Sequence, residues 1–285
     1  GYKLTDMSNL RLGYNTRIYR PGIWYLNPYL NDTDPSYISQ GNSELDSEKS
    51  HAFNLSYSNF TQKFNINLSA RYSFTNNSIE NVTKLMPDTE IEGLKNPTGK
   101  DVLYSTYANI GKTRRASVSA YVNWNATPRT RIYMNMSGDY SYMEGSEGMR
   151  NDGWSLFAYG GAQQTLPHDW RISLNVFGQT PWIMLQGKGS SFFDYGLSVN
   201  KSFLNKRLTL SAFASNFFKK YMDQSSTTEG AGFIRESSYK YSRQRFGISV
   251  SYRIGELKAS VKKAARTISN DDVKSGGSGS GGGGE

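Results

Sequence analysis

The chain has 285 residues, a formal charge of +9 and no cysteine, with 36% hydrophobic and 14% aromatic side chains. Disulfide and thiolate chemistry are therefore excluded, and no apolar run approaches the roughly 18 residues a spanning helix needs. The opening GYKLTDMSNL lacks the apolar core of a secretion signal, so either a leader has been removed or the chain begins partway through a longer protein.

The first element is NLRLGYNTRIYR, with Leu10, Leu12, Tyr14, Thr16 and Ile18 on one parity and Arg11, Gly13, Asn15, Arg17 and Tyr19 on the other. Successive side chains of a strand point to opposite faces, so this alternation predicts one apolar and one polar face. HAFNLSYSNF repeats it with Phe53, Leu55 and Tyr57, and FNINLSARYSF with Phe64, Ile66, Leu68, Ala70, Tyr72 and Phe74. RASVSAYVNW carries Ala116, Val118, Ala120, Val122 and Trp124, and TRIYMNMSGDYSY carries Ile132, Met134, Met136, Tyr140 and Tyr142. WSLFAYGGAQQTL is less regular but stands where a strand is due. Next come WRISLNVFG (Trp170, Ile172, Leu174, Val176), FDYGLSVNKSF (Phe193, Tyr195, Leu197, Val199) and RLTLSAFAS (Leu208, Leu210, Ala212, Ala214). RFGISVSYRIG closes the series with Phe246, Ile248, Val250, Tyr252 and Ile254. About ten strands of roughly 9 to 13 residues are expected.

The connections alternate in length. Short ones fall at 61–63, 127–129, 167–169 and 205–207, and long ones at roughly 21–50, 76–105, 143–153, 180–192 and 219–238. That is the signature of an antiparallel meander with tight turns at one end and elaborate loops at the other, as in outer-membrane barrels. A soluble sandwich has shorter strands, and a soluble up-and-down barrel turns its apolar face inward. Here the polar parity is Ser, Asn, Gly and Arg at nearly every position. The apolar parity is flanked by aromatics (Phe64, Phe74, Trp124, Tyr140, Tyr142, Trp170, Phe193, Tyr195) that suit the two lipid–water boundaries. The expected fold is therefore an all-β, antiparallel transmembrane barrel with its apolar face toward lipid. Residues 1–255 would form strands and extracellular loops, and 256–285 a flexible Gly/Ser-rich periplasmic tail.

Residues 20–57, RPGIWYLNPYLNDTDPSYISQGNSELDSEKSHAFNLSY, resemble a segment of the TonB-dependent outer-membrane receptors of Bacteroidota. Those proteins carry a phrase near Gly-Asn-Pro-x-Leu-Lys-Pro-Glu-x-Ser in an extracellular loop. Here it reads Gly41, Asn42, Ser43, Glu44, Leu45, Asp46, Ser47, Glu48, Lys49, Ser50, with Ser in place of both prolines and Asp in place of Lys. The last strand, RFGISVSYRIG, with the KKAARTISNDDVKSGGSGSGGGG beyond it, resembles the end of the Bacteroidota outer-membrane barrel family. The resemblance implies a barrel of about twenty-two strands, of which this chain would be the C-terminal portion. It also implies an N-terminal plug inside the barrel and energised import of a nutrient or siderophore-like ligand. The expected partners are outer-membrane lipid, the plug and remaining barrel strands, the TonB complex reached through the missing N-terminal region, and a surface lipoprotein. A free-standing ten-strand barrel acting as adhesin, anchor or surface enzyme is the alternative.

No catalytic, cofactor or metal site is expected. His168 beside Asp169 sits in a short turn, His51 begins a strand without a nucleophile motif, and NDTD (31–34) falls short of a calcium loop. The Gly-rich tail lacks the strand and helix of a phosphate loop. Lys and Arg are scattered, so no nucleic-acid partner is expected. Two groups are nominated. Trp24, Tyr25, Tyr29 and Tyr37 are candidate substrate contacts in a loop, since aromatics with polar neighbours suit sugars, peptides or siderophores alike. Arg11, Arg17, Arg71, Arg131, Arg171, Arg245 and Arg253 share the polar parity with one clear carboxylate, Asp139, and would form a basic lumen wall. That wall either pairs with acidic groups of a plug, the favoured reading, or guides anionic substrates.

Overall fold

In the computed structural model, which describes residues 1–255 and Val273–Lys274, every one of the expected alternating segments is a strand. The chain opens with β1 (Tyr2–Thr5) and β2 (Ser8–Pro21), then a one-turn helix α1 (Ile23–Leu26) and short strands β3 (Asn31–Asp34) and β4 (Tyr37–Ser39). The long strands β5 (Glu48–Phe60), β6 (Phe64–Pro87), β7 (Asp101–Thr127), β8 (Thr130–Glu144), β9 (Arg150–Leu166) and β10 (Trp170–Gln179) come next. After β11 (Ile183–Met184) and β12 (Gly187–Lys188) stand β13 (Phe192–Phe203), β14 (Leu208–Ser215), β15 (Tyr221–Gly230), β16 (Phe233–Ser242), β17 (Arg245–Tyr252) and β18 (Val273–Lys274). Among the described residues no helix is long and apolar enough to cross a membrane. The tail expected at 256–285 lies outside the described residues except for β18, whose backbone pairs in parallel with β2 at Arg20 and Pro21.

The main sheet runs in the order β1-β2-β5-β6-β7-β8-β9-β10-β13-β14-β17, each strand antiparallel to the next. The register keeps parity across it. Leu12 faces Leu55, which faces Ala70, then Val118, Gly138 and Leu156. On the other side Arg11 faces Ser56, which faces Ser69 and then Ser119. A one-residue slip would exchange the two faces, so the alternation fixes the register.

The two faces differ in chemistry. The apolar one is bare: Val118 is 64% and Ile248 82% exposed. A sheet of this size with an uncovered apolar face is unstable in water and at home in lipid. Aromatic rows bound it. Tyr14, Phe53 and Tyr72 stand in one row with Tyr140 and Trp154, whose rings are 5.4 Å apart. Eight residues along β6, Phe64 faces Trp124 at the turn end. That spacing is roughly 27 Å along the strand, or about 20 Å across the membrane at a tilt of about 35–45°, which fits within an apolar band about 25 Å tall. Lys201 lies on this apolar face at the turn end, its ammonium 5.4 Å from the Trp170 ring and 5.2 Å from Phe203, and it donates to the His168 carbonyl. Its stem covers apolar surface while its charge reaches the boundary.

The polar face is tied together by short side chains. Ser69 and Ser119 share a 2.6 Å hydrogen bond, Asn67 donates to Ser58 at 2.9 Å, and Ser117 donates to Asp139. Tyr133 lies flat across β9 and donates to Asn175. Gly161, between them in register, makes room, since a Cβ there would sit 2.6 Å from the Tyr133 hydroxyl.

The expected long connections contain more strand than the alternation suggests. β6 and β7 continue as one hairpin to Pro87 and Asp101 through a register shift between Thr75 and Ser78, so most of 76–105 is paired. The 143–153 connection shrinks to 145–149, and 219–238 is largely the hairpin β15–β16. In water a hairpin satisfies its own backbone without an apolar face, so parity no longer marks it.

Candidate functional site

The buried apolar clusters of the described residues lie at the loop end. Tyr25 packs with Leu45 and Ile79, Ile38 with Ile91 and Val102, and Met143 with Ile183 and Leu185. Beyond the membrane band the chain must bury apolar surface in the ordinary way, and it does so between connections and the projecting β6–β7 hairpin.

Side-chain amides stitch this layer together. Gln186, itself buried, accepts from the Thr83 backbone N–H at 2.7 Å and donates to the Thr83 carbonyl at 2.9 Å, acting as a one-residue strand partner. Asn109 does the same for Asp46, at 2.8 and 3.0 Å. Strands β11, β12, β15 and β16 form a second sheet, and Arg235 on β16 lies 3.7 Å from the Tyr37 ring centre. The hairpin that leaves β14 near one edge of the main sheet thus reaches the connection between β2 and β5 near the other. Asp88 organises the tip of the β6–β7 hairpin: its carboxylate accepts from Thr98 N–H (2.6 Å), Thr98 hydroxyl (2.8 Å) and Gly99 N–H (2.7 Å). Those bonds, the Thr98 backbone bond foremost, hold its carboxyl below the usual carboxylate range.

The phrase 41–50 is part of this stitching. Gly41 N–H donates to the Asn27 carbonyl at 3.0 Å, and a Cβ at position 41 would come within 2.7 Å of the Tyr25 carbonyl. Asn42 donates to the Tyr107 carbonyl at 3.0 Å, Leu45 is in the apolar cluster, and buried Glu48 accepts from the Ile79 N–H. These residues anchor the loop.

A groove of about 450 Å³ opens between that anchored loop and the β6–β7 hairpin. Three of the four nominated aromatics line it: Trp24 and Tyr29, 69% and 70% exposed, and Tyr37. Tyr25 does not. It is 8% exposed, its ring meets Tyr107 edge-on at 4.5 Å, and burial, reinforced by Tyr107, pushes its phenol up to about 12. Trp24 and Tyr25 are neighbours on a single helical turn, about 100° apart, so one faces out and the other in. The rest of the lining is Asn27, Asn31, Thr33, Ser39, Gln40, Gly41, Asn81, Ser105 and Tyr107. Asn81, Ser105 and Tyr107 come from the β6–β7 hairpin, and no local sequence signal connects them to residues 24–41.

The seven nominated arginines share the polar parity. Arg131 donates to Asn123 at 2.7 Å, while among the described residues the side chains of Arg11, Arg17, Arg71, Arg171, Arg245 and Arg253 make no ion pair or hydrogen bond. Besides Asp139, the polar face carries Asp194, which pairs with Arg243 and accepts from Asn216 at 2.6 Å. That carboxylate is missed by a reading limited to the regular core of each strand. His168 and Asp169 are exposed turn residues with φ of 61° and 58°. His51 sits on the apolar face, 2.6 Å from the Tyr14 hydroxyl and 4.9 Å from the Phe74 ring.

A long-stranded meander with a bare apolar face, aromatic boundaries and a loop layer at one end defines an outer-membrane β-barrel protein. The chain belongs to the outer membrane protein beta-barrel family, whose profile matches residues 1–252. No curated protein sequence matches it significantly. Among solved structures it is similar to the copper transporter OprC, with a TM-score of 0.58 at 15% identity, over 88% of this chain and 39% of that one. The ferric-catecholate import receptor Fiu from E. coli K12 in its open form aligns over 90% of this chain and 48% of its own, with 13% identity and a TM-score of 0.40. The chain thus spans less than half the length of either.

Proposed function

We propose that the chain is the C-terminal barrel portion of a TonB-dependent outer-membrane receptor of a Bacteroidota-type envelope, importing a nutrient or siderophore-like ligand. The supporting observation is the open sheet. At one edge β17 pairs with β14, and at the other β1 pairs with β2, but among the described residues the two edges do not pair with each other. Unpaired ladder groups cannot face hydrocarbon, so further strands would complete the wall. In this reading the arginine-bearing face lines the lumen and meets the plug, the long loops face outward with a surface lipoprotein as a partner, and TonB acts through the N-terminal region. Energised uptake tests it. In a strain carrying the full-length gene, ligand captured at the surface should enter the cell only while the inner membrane is energised. Uptake unaffected by a protonophore, or a purified 1–285 chain whose Leu12 and Ile248 strands cross-link directly to each other, would favour a free-standing barrel instead.

A further inference from the structure

On the lipid-facing side of the sheet the apolar pattern breaks at the loop end. Just beyond the aromatic row of Tyr14, Phe53 and Tyr72, the same parity carries His51, Phe74 and Arg114 in register, and then Lys49 opposite Ile18. Charge thus stands on the face that turns to hydrocarbon, one row above its aromatic boundary. From this we infer that the wall holds a phosphorylated, acylated lipid of the outer leaflet here, with phosphate on the cations and an acyl chain in the groove beneath them. Such a site would exist whether or not the receptor imports.

The Phe74 ring carries two of these groups. The His51 ring stacks on it at 4.9 Å, and the Arg114 guanidinium lies 5.4 Å from its centre. Arg114 donates to neutral acceptors: the Thr75 and Thr113 carbonyls at 3.3 and 3.1 Å and the Asn76 amide oxygen at 2.8 Å. Those bonds orient the guanidinium and leave its charge uncompensated. Thr16 donates to the Tyr14 hydroxyl at 3.1 Å, so the Tyr14 proton goes to His51 Nδ1, 2.6 Å away, and Nε2 keeps an unengaged N–H. The Lys49 side chain has no ion pair or hydrogen bond among the described residues. The carboxylates of this face are already engaged. Glu144 pairs with Lys112 at 3.2 Å and accepts from Tyr142 at 3.2 Å, and Asp152 accepts from Tyr140 at 2.7 Å. Arg150 lies over the Tyr142 ring at 4.8 Å. Lys49 and Arg114 are therefore cations that lack an anion.

Directly below them a groove of about 380 Å³ opens in the apolar face, walled by Phe53, Tyr72, Val118 and Trp154 where Ala70 and Ala116 leave room. Ala116 is two residues from Arg114 and Tyr72 two from Phe74, so the groove ends within about 7 Å of the cation row. A water-soluble anion has no use for the groove and reaches it only through lipid. An acylated phosphate ester satisfies both halves at once, with charge-assisted hydrogen bonds at Arg114, Lys49 and His51 Nε2 and apolar contact beneath. The leaflet follows from the end of the wall, because outer-membrane barrels turn their long connections to the cell surface. At the turn end the corresponding cation, Lys201, is engaged by the Trp170 and Phe203 rings and the His168 carbonyl.

The test is native mass spectrometry of the full-length protein in detergent, titrated with diphosphoryl lipid A and with its dephosphorylated form. The phosphorylated lipid should bind its first copy about tenfold more tightly. Lys49→Gln combined with Arg114→Gln should abolish that preference, and Arg114→Lys should keep most of it. Ala116→Trp, which fills the groove, should weaken both lipids about tenfold. Arg171→Gln, on the polar face, should change neither. The Lys49 side chain is unpaired within the fold, so Lys49→Gln alone, expected to weaken the phosphorylated lipid about threefold, gives a reading even where the double variant fails to assemble. Equal affinity for the two lipids, binding indifferent to the charge and groove variants, an equal loss in Arg171→Gln, or displacement of the lipid by inorganic phosphate overturns the inference.

Discussion

The wall and the loop layer of this molecule are built on opposite rules. In the wall, apolar side chains such as Leu12, Val118 and Ile248 are left bare, and polar ones knit the other face. In the loop layer, Tyr25, Ile38, Ile79 and Leu185 are buried, although Ile23 and Ile234 stay exposed, as do the candidate aromatics Trp24 and Tyr29. One chain follows both rules because its solvent changes along its length. Lipid does the covering in the wall, whereas in water the protein must cover itself. The same side chain therefore means different things in the two places, and a substitution's cost should depend on which region it enters.

The largest effect should come from placing charge on the lipid side. Val118→Arg should cost about 2–4 kcal/mol, whereas Ser119→Arg, one residue along on the polar face, should cost less than half of that. Urea unfolding in lipid vesicles reads both. Equal costs would break the distinction between the faces.

In the loop layer the sensitive point is Gln186. Gln186→Leu leaves the buried Thr83 N–H and carbonyl unpaired, a loss of about 1–3 kcal/mol. Hydrogen exchange should accelerate around 83 and 183–188 while the protected strands β7–β10 stay unchanged. Acceleration spreading into the wall would show that the two regions unfold as one.

Acid should act on the tip of the β6–β7 hairpin through Asp88. Its native pKa is depressed below its unfolded value of about 3.9. Its contribution is therefore full above that value and lost as pH falls through the lower, native one. Exchange protection of the Thr98 and Gly99 amides should decline on acidification below about pH 4, and Asp88→Asn should give the unprotected behaviour already at neutral pH.

The smallest effect is expected at the Lys84–Glu147 pair, 2.7 Å apart but 50% and 65% exposed. Glu147→Gln should shift loop stability by no more than about 0.5 kcal/mol, measured at low and high salt.

The same contrast explains what could be read in the sequence. The wall strands other than β9 were legible because lipid on one side and water on the other impose period-two alternation, from Leu10–Ile18 to Phe246–Ile254, whereas β9, with the pair Gly160 and Gly161, was placed only by its position between β8 and β10. The loop layer has no such constraint. The extension of β6 and β7 into water and the clasp of Gln186 on Thr83, 103 residues away in sequence, leave no local pattern. Aromatic density at 24–37 pointed to the groove, yet it could not separate Trp24 from Tyr25, because the partner that buries Tyr25 is Tyr107 on β7. The polar half of the groove, Asn81 and Ser105, was invisible for the same reason.

The orientation of the two faces can be measured directly. These 285 residues hold no cysteine, so with any cysteine outside them replaced by serine, single nitroxide labels can be placed at 118, 119, 248 and 249 of the full-length protein in native outer membrane. Collision with oxygen, which partitions into lipid, is compared with collision with a water-soluble nickel chelate. Positions 118 and 248 should meet oxygen and exclude nickel, while 119 and 249 should show no such preference for oxygen. Nickel reaching 118 and 248, or no alternation between neighbouring positions, would contradict that orientation.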